Sequence, residues 1–203
     1  MILWPTRASP GNPPRVVWLH SEIDHQVERL RELANRLESA AAPWTQLEKH
    51  TVLVVDTNIL VHYMALDKIP WERLLKGDLA IVIPLVVVDE IDRLANRSSG
   101  VSDQATAALR ALRELRGDGE VPHKAVSVRD KADLYIYVEP SGRPRQPQVD
   151  DDILLAASEL ESFSSASDLR LLTADGGMRF RAQSRGRAVF ELDDKYRKRQ
   201  ADE

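Results

Sequence analysis

The sequence predicts an α/β fold, a three-layer α/β/α sandwich built on a central, mainly parallel sheet. Short apolar runs rich in β-branched residues alternate along the chain with amphipathic helical segments, and the sequence has no internal repeat, which is typical of such sheets. The run TVLVV at residues 51–55 has no charged residue, as expected for a strand that is buried on both faces. We therefore expect one α/β domain over residues 51–192, preceded by an N-terminal amphipathic helix over residues 20–43.

The N-terminal segment is predicted to form an extended arm and then this helix. Residues 1–19 hold four of the eleven prolines, which disfavour regular structure. Ser21 and Asp24 approximate a capping box, and Pro43 marks the helix end. The apolar stripe of this helix, within residues 23–41, is expected to pack on the main domain or, alternatively, to pair with a second copy of the chain or with a partner protein. Its residues are Ile23, Val27, Leu30, Ala34, Leu37 and Ala41.

Strands and helices follow one another in the main domain. After the strand at 51–55, strands are predicted at residues 79–83, 125–128, 134–138, 169–173 and 189–192. Helices are predicted at residues 59–65, 71–76, 102–116 and 150–162. A further helix is predicted to begin at Pro84, and another to follow Gly177 and end near Arg185. Prolines and arginines at residues 139–148 predict a surface loop, and the basic segment 193–203 is predicted to be a flexible tail.

Composition excludes several classes of site. The chain has no cysteine, so disulfide frameworks, thiolate zinc sites and cysteine nucleophiles are excluded. A formal net charge of −4 argues against a protein that coats nucleic acid through bulk positive charge. No apolar run approaches the roughly 20 residues that span a bilayer, and the proline-containing N-terminus lacks the apolar core of a signal peptide. We therefore expect a soluble, cytoplasmic protein without a membrane partner.

Acidic residues are predicted to meet at the carboxyl edge of the sheet, where open parallel sheets bind their ligands. Asp56 and Asp175 come at the ends of strands, whereas Glu90 and the aspartates at 150–152 fall in the first turns of helices. Converging carboxylates repel one another unless a cation lies between them, and carboxylate oxygens suit hard cations such as Mg2+ and Mn2+. Local alternatives stay open, since Asp56 and residues 150–152 can also serve helix starts, and Asp175 can serve a turn.

Two polar residues are expected to support these carboxylates. Asn58 is predicted either to orient Asp56 or to start the following helix, and Thr173 either to donate its hydroxyl to a carboxylate or to satisfy a strand-end carbonyl. The residue at position 58 also helps to distinguish this site from that of a second class of enzyme, the haloacid-dehalogenase type of phosphatase with an aspartyl nucleophile. That pattern requires a second aspartate two residues after the first, and the asparagine at position 58 disfavours it.

Four segments carry the acidic residues: VVDTNIL at 54–60, IPLVVVDEIDRL at 83–94, DDDILLAA at 150–157 and LLTAD at 171–175. In order and spacing, they resemble the four acidic motifs of PIN domains, and the resemblance covers about residues 51–192. The continuation DGGMRFRA at 175–182 is similar to that of PIN domains found with PhoH-type ATPases and in bacterial RNA-processing proteins. The N-terminal helix lies outside the resemblance.

The resemblance implies a metal-dependent ribonuclease, expected to be an endoribonuclease that uses Mg2+ or Mn2+ and leaves a 5′ phosphate on its product. Transferred motif by motif, the catalytic residues and metal ligands would be Asp56, Glu90, Asp150 and Asp175, supported by Asn58 and Thr173. The third ligand is open between Asp150 and Asp151. Because Ile153, Leu154 and Ala157 mark the buried face of that helix, the pattern favours Asp150 as the inward-pointing residue.

RNA needs cations for its phosphates, and the basic residues of this chain are unevenly placed. Residues 176–199 contain eight basic against three acidic residues. Arg179 follows Asp175 by one helical turn and is predicted to contact phosphate together with Arg181. Arg143 and Arg145 of the proline-containing loop are predicted as a second pair of RNA contacts. The alternative is a solvated basic face.

Two biological alternatives accompany the ribonuclease interpretation. The first is a catalytically weak PIN-fold protein that binds RNA or a protein partner without cutting. The second is the toxin of a toxin-antitoxin pair, which would have an antitoxin as its partner. Both alternatives have the same fold. The first binds without cutting, whereas the toxin cuts RNA.

Overall fold

A six-stranded sheet forms the central layer of the fold. The computed structural model describes residues 15–97, 100–117, 121–141, 143–166 and 168–198. The strands are β1 (Thr51–Val55), β2 (Leu79–Pro84), β3 (Val126–Arg129), β4 (Ala132–Tyr137), β5 (Asp168–Leu172) and β6 (Ala188–Phe190). Their ends lie within about two residues of the predicted strands, because short β-branched runs bounded by polar residues define buried strands well.

The sheet has the order β3-β4-β2-β1-β5-β6, and only β3 and β4 are antiparallel neighbours among the described strands. Their connection is a hairpin in which Asp130 has a positive φ of 52°. β1 lies between β2 and β5, with Thr51 opposite both Leu79 and Asp168. The chain therefore leaves β1 towards one edge of the sheet and later returns to its other side. Open sheets bind their ligands beside such a reversal.

The helices of the main domain flank this sheet and confirm the predicted α/β/α sandwich. They are α2 (Thr57–His62), α3 (Trp71–Leu74), α4 (Leu85–Ala95), α5 (Ser102–Arg116), α6 (Val149–Ser164) and α7 (Gly176–Ser184). α2, α4 and α5 pack on one another, and α6 contacts both α4 and β5. Each helix begins or ends within about three residues of its predicted position, because Pro84 and the aspartates in the first turn of α6 mark helix starts reliably.

The first helix, α1 (Arg15–Ala41), starts earlier than predicted. The sequence indicated an arm over residues 1–19, and this prediction is wrong for residues 15–19, which are helical. Residues 15–20 contain neither glycine nor proline, so the helix continues towards the N-terminus past Ser21. Residues 1–14 lie outside the described residues. Within the described residues, none of the helices combines the length and the apolar content needed to cross a bilayer.

The described part of the chain divides into two compact units, one that ends at Ala40 and one that begins at Ala41. In the second unit, Trp44 anchors the segment that precedes β1. Only 4% of its surface is exposed, and its ring lies 5.3 Å from that of Tyr137 and 6.2 Å from that of Tyr135, measured between centroids. This packing extends the main domain towards the N-terminus beyond its predicted start.

The basic C-terminal segment is packed as far as Lys198. The backbone N–H of Lys198 donates to the carbonyl of His62 at 2.8 Å, and its ammonium group donates to the carbonyl of Val61 at 2.8 Å. These contacts place a cation at the C-terminal end of α2, where the helix dipole favours positive charge. The prediction of a flexible tail is therefore wrong for residues 193–198, and residues 199–203 lie outside the described residues.

Candidate functional site

Two of the predicted site residues end neighbouring parallel strands. Asp56 directly follows β1 and is the N-cap residue of α2, while Asp175 follows β5 and is the N-cap residue of α7. The last residues of the two strands, Val55 and Leu172, are paired. Both aspartates therefore lie at the carboxyl edge of the sheet, on either side of the reversal in strand order.

Asp56 is buried and held in place by β5. Only 4% of its surface is exposed, and its backbone N–H donates to the carbonyl of Leu172 at 3.0 Å. The hydroxyl of Thr173 donates to Asp56 Oδ2 at 2.7 Å. Of the two predicted roles of Thr173, donation to a carboxylate is therefore the one observed.

Thr173 also connects Asp56 to Asp175. Its hydroxyl oxygen accepts a hydrogen bond from the backbone N–H of Asp175 at 3.0 Å. Asp175 Oδ1 in turn accepts from the backbone N–H of Met178 at 2.8 Å, which caps α7. A β-carbon at Gly177 would lie only 3.1 Å from that oxygen, so glycine suits this close approach. One oxygen of Asp175 thus caps the start of α7, whereas the local sequence alternative was a turn.

Glu90 reaches the site from the second turn of α4. Its Oε2 accepts a hydrogen bond from the hydroxyl of Thr57, and Thr57 is the first residue of α2. Glu90 and Asp56 are thus held next to each other by the start of α2. The sequence indicated Glu90 but not Thr57. The chemical signal for Thr57 is a hydroxyl directly after a strand-end aspartate.

Two further carboxylates act electrostatically on Asp56. Burial raises the pKa of Asp56 to about 6, and the negative charges of Asp150 and Glu90 act in the same direction. Hydrogen bonds from the Thr173 hydroxyl and the Thr57 backbone oppose this shift. The pocket therefore holds more negative charge than the protein alone neutralises at Asp56.

This raised pKa predicts a pH-dependent loss of stability in the absence of metal. An aspartate titrates near 3.8 when unperturbed and near 6 here, so the folded state binds the extra proton and stability falls as pH rises through this interval. Asp56→Asn removes the titration. We expect its free energy of unfolding to exceed that of wild type by less than about 1 kcal/mol near pH 4 and by about 3 kcal/mol near pH 8.

Denaturant unfolding in EDTA at both pH values measures this difference. A gap between the two proteins that stays constant with pH would contradict the assigned burial of a charged Asp56.

The three consecutive aspartates at the start of α6 face different partners. Asp150 acts on the charge of Asp56, and its Oδ2 lies 3.7 Å from Nε of Arg181. Asp151 instead accepts a hydrogen bond of 2.6 Å from Arg185, the C-cap residue of α7. The placement therefore favours Asp150 over Asp151 as the carboxylate that belongs with Asp56.

The third aspartate, Asp152, is buried and holds the loop at residues 139–148. Its carboxylate accepts hydrogen bonds from Arg143 at 3.2 Å and from the backbone N–H of Gln146 at 3.1 Å. Arg143 also pairs with Glu139 at 3.2 Å, an ion pair without hydrogen-bond geometry. Only 8% of the Arg143 side chain is exposed. The structure thus corrects its assignment as an RNA contact, because the guanidinium lies among carboxylates and out of reach of phosphate.

Removal of the Arg143 side chain is therefore expected to lower the stability of the protein more than removal of the Arg145 side chain. Arg143→Ala leaves Asp152 buried without its cation and should lower the free energy of unfolding by about 3–5 kcal/mol. Arg145 is 44% exposed and pairs with Asp89 at 2.9 Å and with Glu139 at 3.4 Å, so Arg145→Ala, the matched control, should cost less than Arg143→Ala, about 1 kcal/mol. Urea unfolding of both variants tests the difference, and equal costs would contradict the buried role of Arg143.

The remaining predicted arginines lie on α7. Arg179 pairs with Glu191 at 3.0 Å and lies over the ring of Phe180, 5.5 Å from its centroid. Arg181 is exposed and lies between Asp150 and Asp151. Of the two, Arg181 is the one that contacts an acidic residue of the site.

A polar cavity of about 520 Å3 lies beside Asp175, and its lining includes Asn58 and His62. These two residues are one helical turn apart on α2, so they share a face. Burial lowers the pKa of His62, and the nearby cations Arg197 and Lys198 lower it further. The sequence indicated Asn58 but not His62, although a spacing of four residues on a helix that follows Asp56 is a usable signal.

The donor chemistry of this edge fits a hard divalent cation, because carboxylate oxygens are the preferred ligands of Mg2+ and Mn2+. A cation would also relieve the repulsion from Asp150 and Glu90 that adds to the effect of burial on the pKa of Asp56. Among the residues that the structure describes, no three His, Asp or Glu side chains are grouped closely enough to hold one metal ion. The match between this site and a divalent cation therefore depends on its carboxylate donors and on the negative charges that act on Asp56.

Comparison with known proteins identifies one family. The family described as "PIN domain" matches residues 53–193, which is more than half of the chain. No curated protein matches the sequence. The fold is similar to that of a domain of a functionally unknown protein from Methanocaldococcus jannaschii DSM 2661, with 21% identity and a TM-score of 0.46 over 75% of this chain and 94% of that one.

Proposed function

Because the chain belongs to the PIN domain family, we propose that it is a ribonuclease that hydrolyses RNA phosphodiester bonds with Mg2+ or Mn2+. PIN domains are generally nucleases and typically use divalent metals. The observation that carries the proposal is the buried Asp56, whose pKa is raised by burial and by the charges of Asp150 and Glu90. A cluster of this kind at a strand reversal favours a cation-dependent site.

The proposed site assigns a role to each carboxylate. Asp56 and Asp150 would hold the principal ion, while Glu90 and Asp175 would complete its shell directly or through water. A bound divalent ion lowers the pKa of a water molecule and neutralises charge on the leaving 3′ oxygen. The protein groups that orient the ligands are Thr173 for Asp56 and Thr57 for Glu90, since hydrogen bonds to ligating carboxylates fix their direction.

RNA contacts are proposed on α7. Arg181 is the first candidate, because its guanidinium lies 3.7 Å from Asp150 and is exposed. Arg179 and Arg145 are further candidates for phosphate contacts, although each already pairs with a surface carboxylate. Such charges position the RNA backbone and carry no base specificity.

A cleavage assay tests this proposal. Single-stranded and structured RNAs, together with a circular RNA, are incubated with the full chain in Mg2+, in Mn2+ or in EDTA. We expect cleavage only with metal, products with a 5′ phosphate, and opening of the circle by an endonuclease. Cleavage that persists in EDTA, or products with a 2′,3′-cyclic phosphate, would contradict a metal-dependent hydrolysis.

A second candidate is a PIN-fold protein that binds RNA or a partner and cuts weakly. The observation that favours it is that Asp175 caps α7 and Asp150 lies beside the cation Arg181, since a metal ion would have to compete with these partners. Gel-shift binding in EDTA separates the two functions. RNA retention in EDTA without cleavage after Mn2+ is restored would favour the second.

A further inference from the structure

The apolar face of α1 is exposed along the helix. Its large apolar side chains keep between 37% and 65% of their surface exposed. They are Val17, Trp18, Leu19, Ile23, Val27, Leu30, Leu33 and Leu37. Single exposed apolar side chains are common on protein surfaces, whereas a contiguous apolar stripe marks a surface for interaction with another molecule.

The spacing of this stripe is that of a coiled-coil seam. Ile23, Leu30 and Leu37 recur every seven residues and form one column. Leu19 and Leu33 belong to a second column, since Leu19 lies four residues before Ile23 and Leu33 lies three residues after Leu30. Alternation of three and four residues gives the a and d positions of a heptad repeat. With 27 residues, α1 is about 40 Å long, which is enough for a pairing over several heptads.

The charges that flank the seam favour an antiparallel arrangement. Glu22, Arg29 and Arg36 form the column next to the first apolar column. In an antiparallel pair of identical helices centred near residue 28, Glu22 of each copy lies beside Arg36 of the other, which gives two pairs of opposite charge. In a parallel pair this column would face Val27, Ala34 and Ala41, which offer Glu22 no basic partner.

Two polar residues lie near the centre of this arrangement. Arg29 of one copy meets Arg29 of the other at an exposed position, where salt screens like charges, and within each helix it donates to Gln26 at 3.3 Å. Gln26 takes a d position of the seam. Its amide donates to Glu22 of the same helix at 2.7 Å, so Gln26 has polar partners without a contribution from the second copy.

We propose that two copies of this chain pair through α1 as an antiparallel coiled coil. The pairing covers the apolar stripe of both helices and does not depend on the nuclease activity. It makes the protein a dimer whose two main domains are linked by their N-terminal helices.

The molar mass of the full chain in solution tests the pairing. Light scattering after gel filtration should give twice the chain mass of 22.9 kDa. Leu30→Glu places a charge in the seam and should weaken dimerisation at least about 10-fold, whereas Asn35→Glu adds the same charge outside the seam and should leave the dimer intact. Circular dichroism and thermal unfolding of both variants check that the main domain stays folded.

Cross-linking tests the orientation, and the absence of native cysteine makes each cross-link attributable. Glu22→Cys and Arg36→Cys chains are treated with a short bismaleimide, separately and after mixing. The antiparallel pair predicts cross-linked dimers only in the mixture. A wild-type monomer, a dimer that survives Leu30→Glu, or cross-linking of each variant alone would overturn the proposal, and the stripe would then pack within its own chain or on a different protein.

Discussion

Asp56→Asn is expected to reduce metal-dependent RNA cleavage at least about 100-fold without unfolding the protein. Loss of a residue that only orients a ligand typically costs roughly 10–100-fold, and Asp56 is assigned as a ligand itself. The asparagine has the same size, and its amide oxygen can still accept the hydroxyl hydrogen bond of Thr173. The measurement is the initial rate of cleavage in Mn2+ with equal amounts of the two proteins.

The matched control is Asp78→Asn. Asp78 is an exposed aspartate that directly precedes β2, at the opposite edge of the sheet, so its replacement should leave the rate unchanged within about twofold. Metal-dependent cleavage that survives Asp56→Asn would remove Asp56 from the site and with it the proposed chemistry. Equal losses in both variants would indicate a general effect of charge on RNA binding.

The second large effect is expected to separate Asp150 from Asp151. Asp150→Asn should reduce cleavage about 100-fold or more, because Asp150 is the carboxylate whose charge acts on Asp56. Asp151→Asn should keep activity within a few-fold, because Asp151 pairs with Arg185. Loss of this partly exposed pair should lower the free energy of unfolding by at most about 1 kcal/mol.

Rates and melting temperatures of both variants decide the assignment. The reverse pattern, with Asp151→Asn inactive and Asp150→Asn active, would move the third ligand to Asp151. A loss of activity in both with retained folding would mean that the Asp151–Arg185 pair positions α7 and its arginines for RNA.

The sequence allowed the sheet and the carboxyl-edge aspartates to be predicted because both depend on local patterns. β1 is an uncharged β-branched run that is followed by Asp56, and the parallel direction of β1 and β5 follows from the alternation of strands and helices. Once these strands are neighbours, Asp56 and Asp175 must lie at one edge. Thr173 could be anticipated for the same reason.

Features that depend on distant partners could not be predicted. The burial of Arg143 requires Glu139, Asp152 and Glu159 to converge from the loop and α6, and an arginine between prolines gives no local sign of this. The packing of Lys198 requires the carbonyls at the end of α2. In both cases the sequence predicted that the basic side chain would be exposed to solvent. Its position instead depends on partners that are distant in the sequence, which are carboxylates for Arg143 and helix-end carbonyls for Lys198.

Direct titration of Mn2+ into the metal-free protein tests the central claim, that the carboxylates around Asp56 form a divalent metal site. Isothermal titration of wild type should show saturable binding. The affinity should fall at least about 10-fold in Asp56→Asn and Asp150→Asn and stay unchanged in Asp78→Asn and Asp151→Asn. Absence of saturable binding to wild type, or equal binding to wild type and Asp56→Asn, would contradict the account.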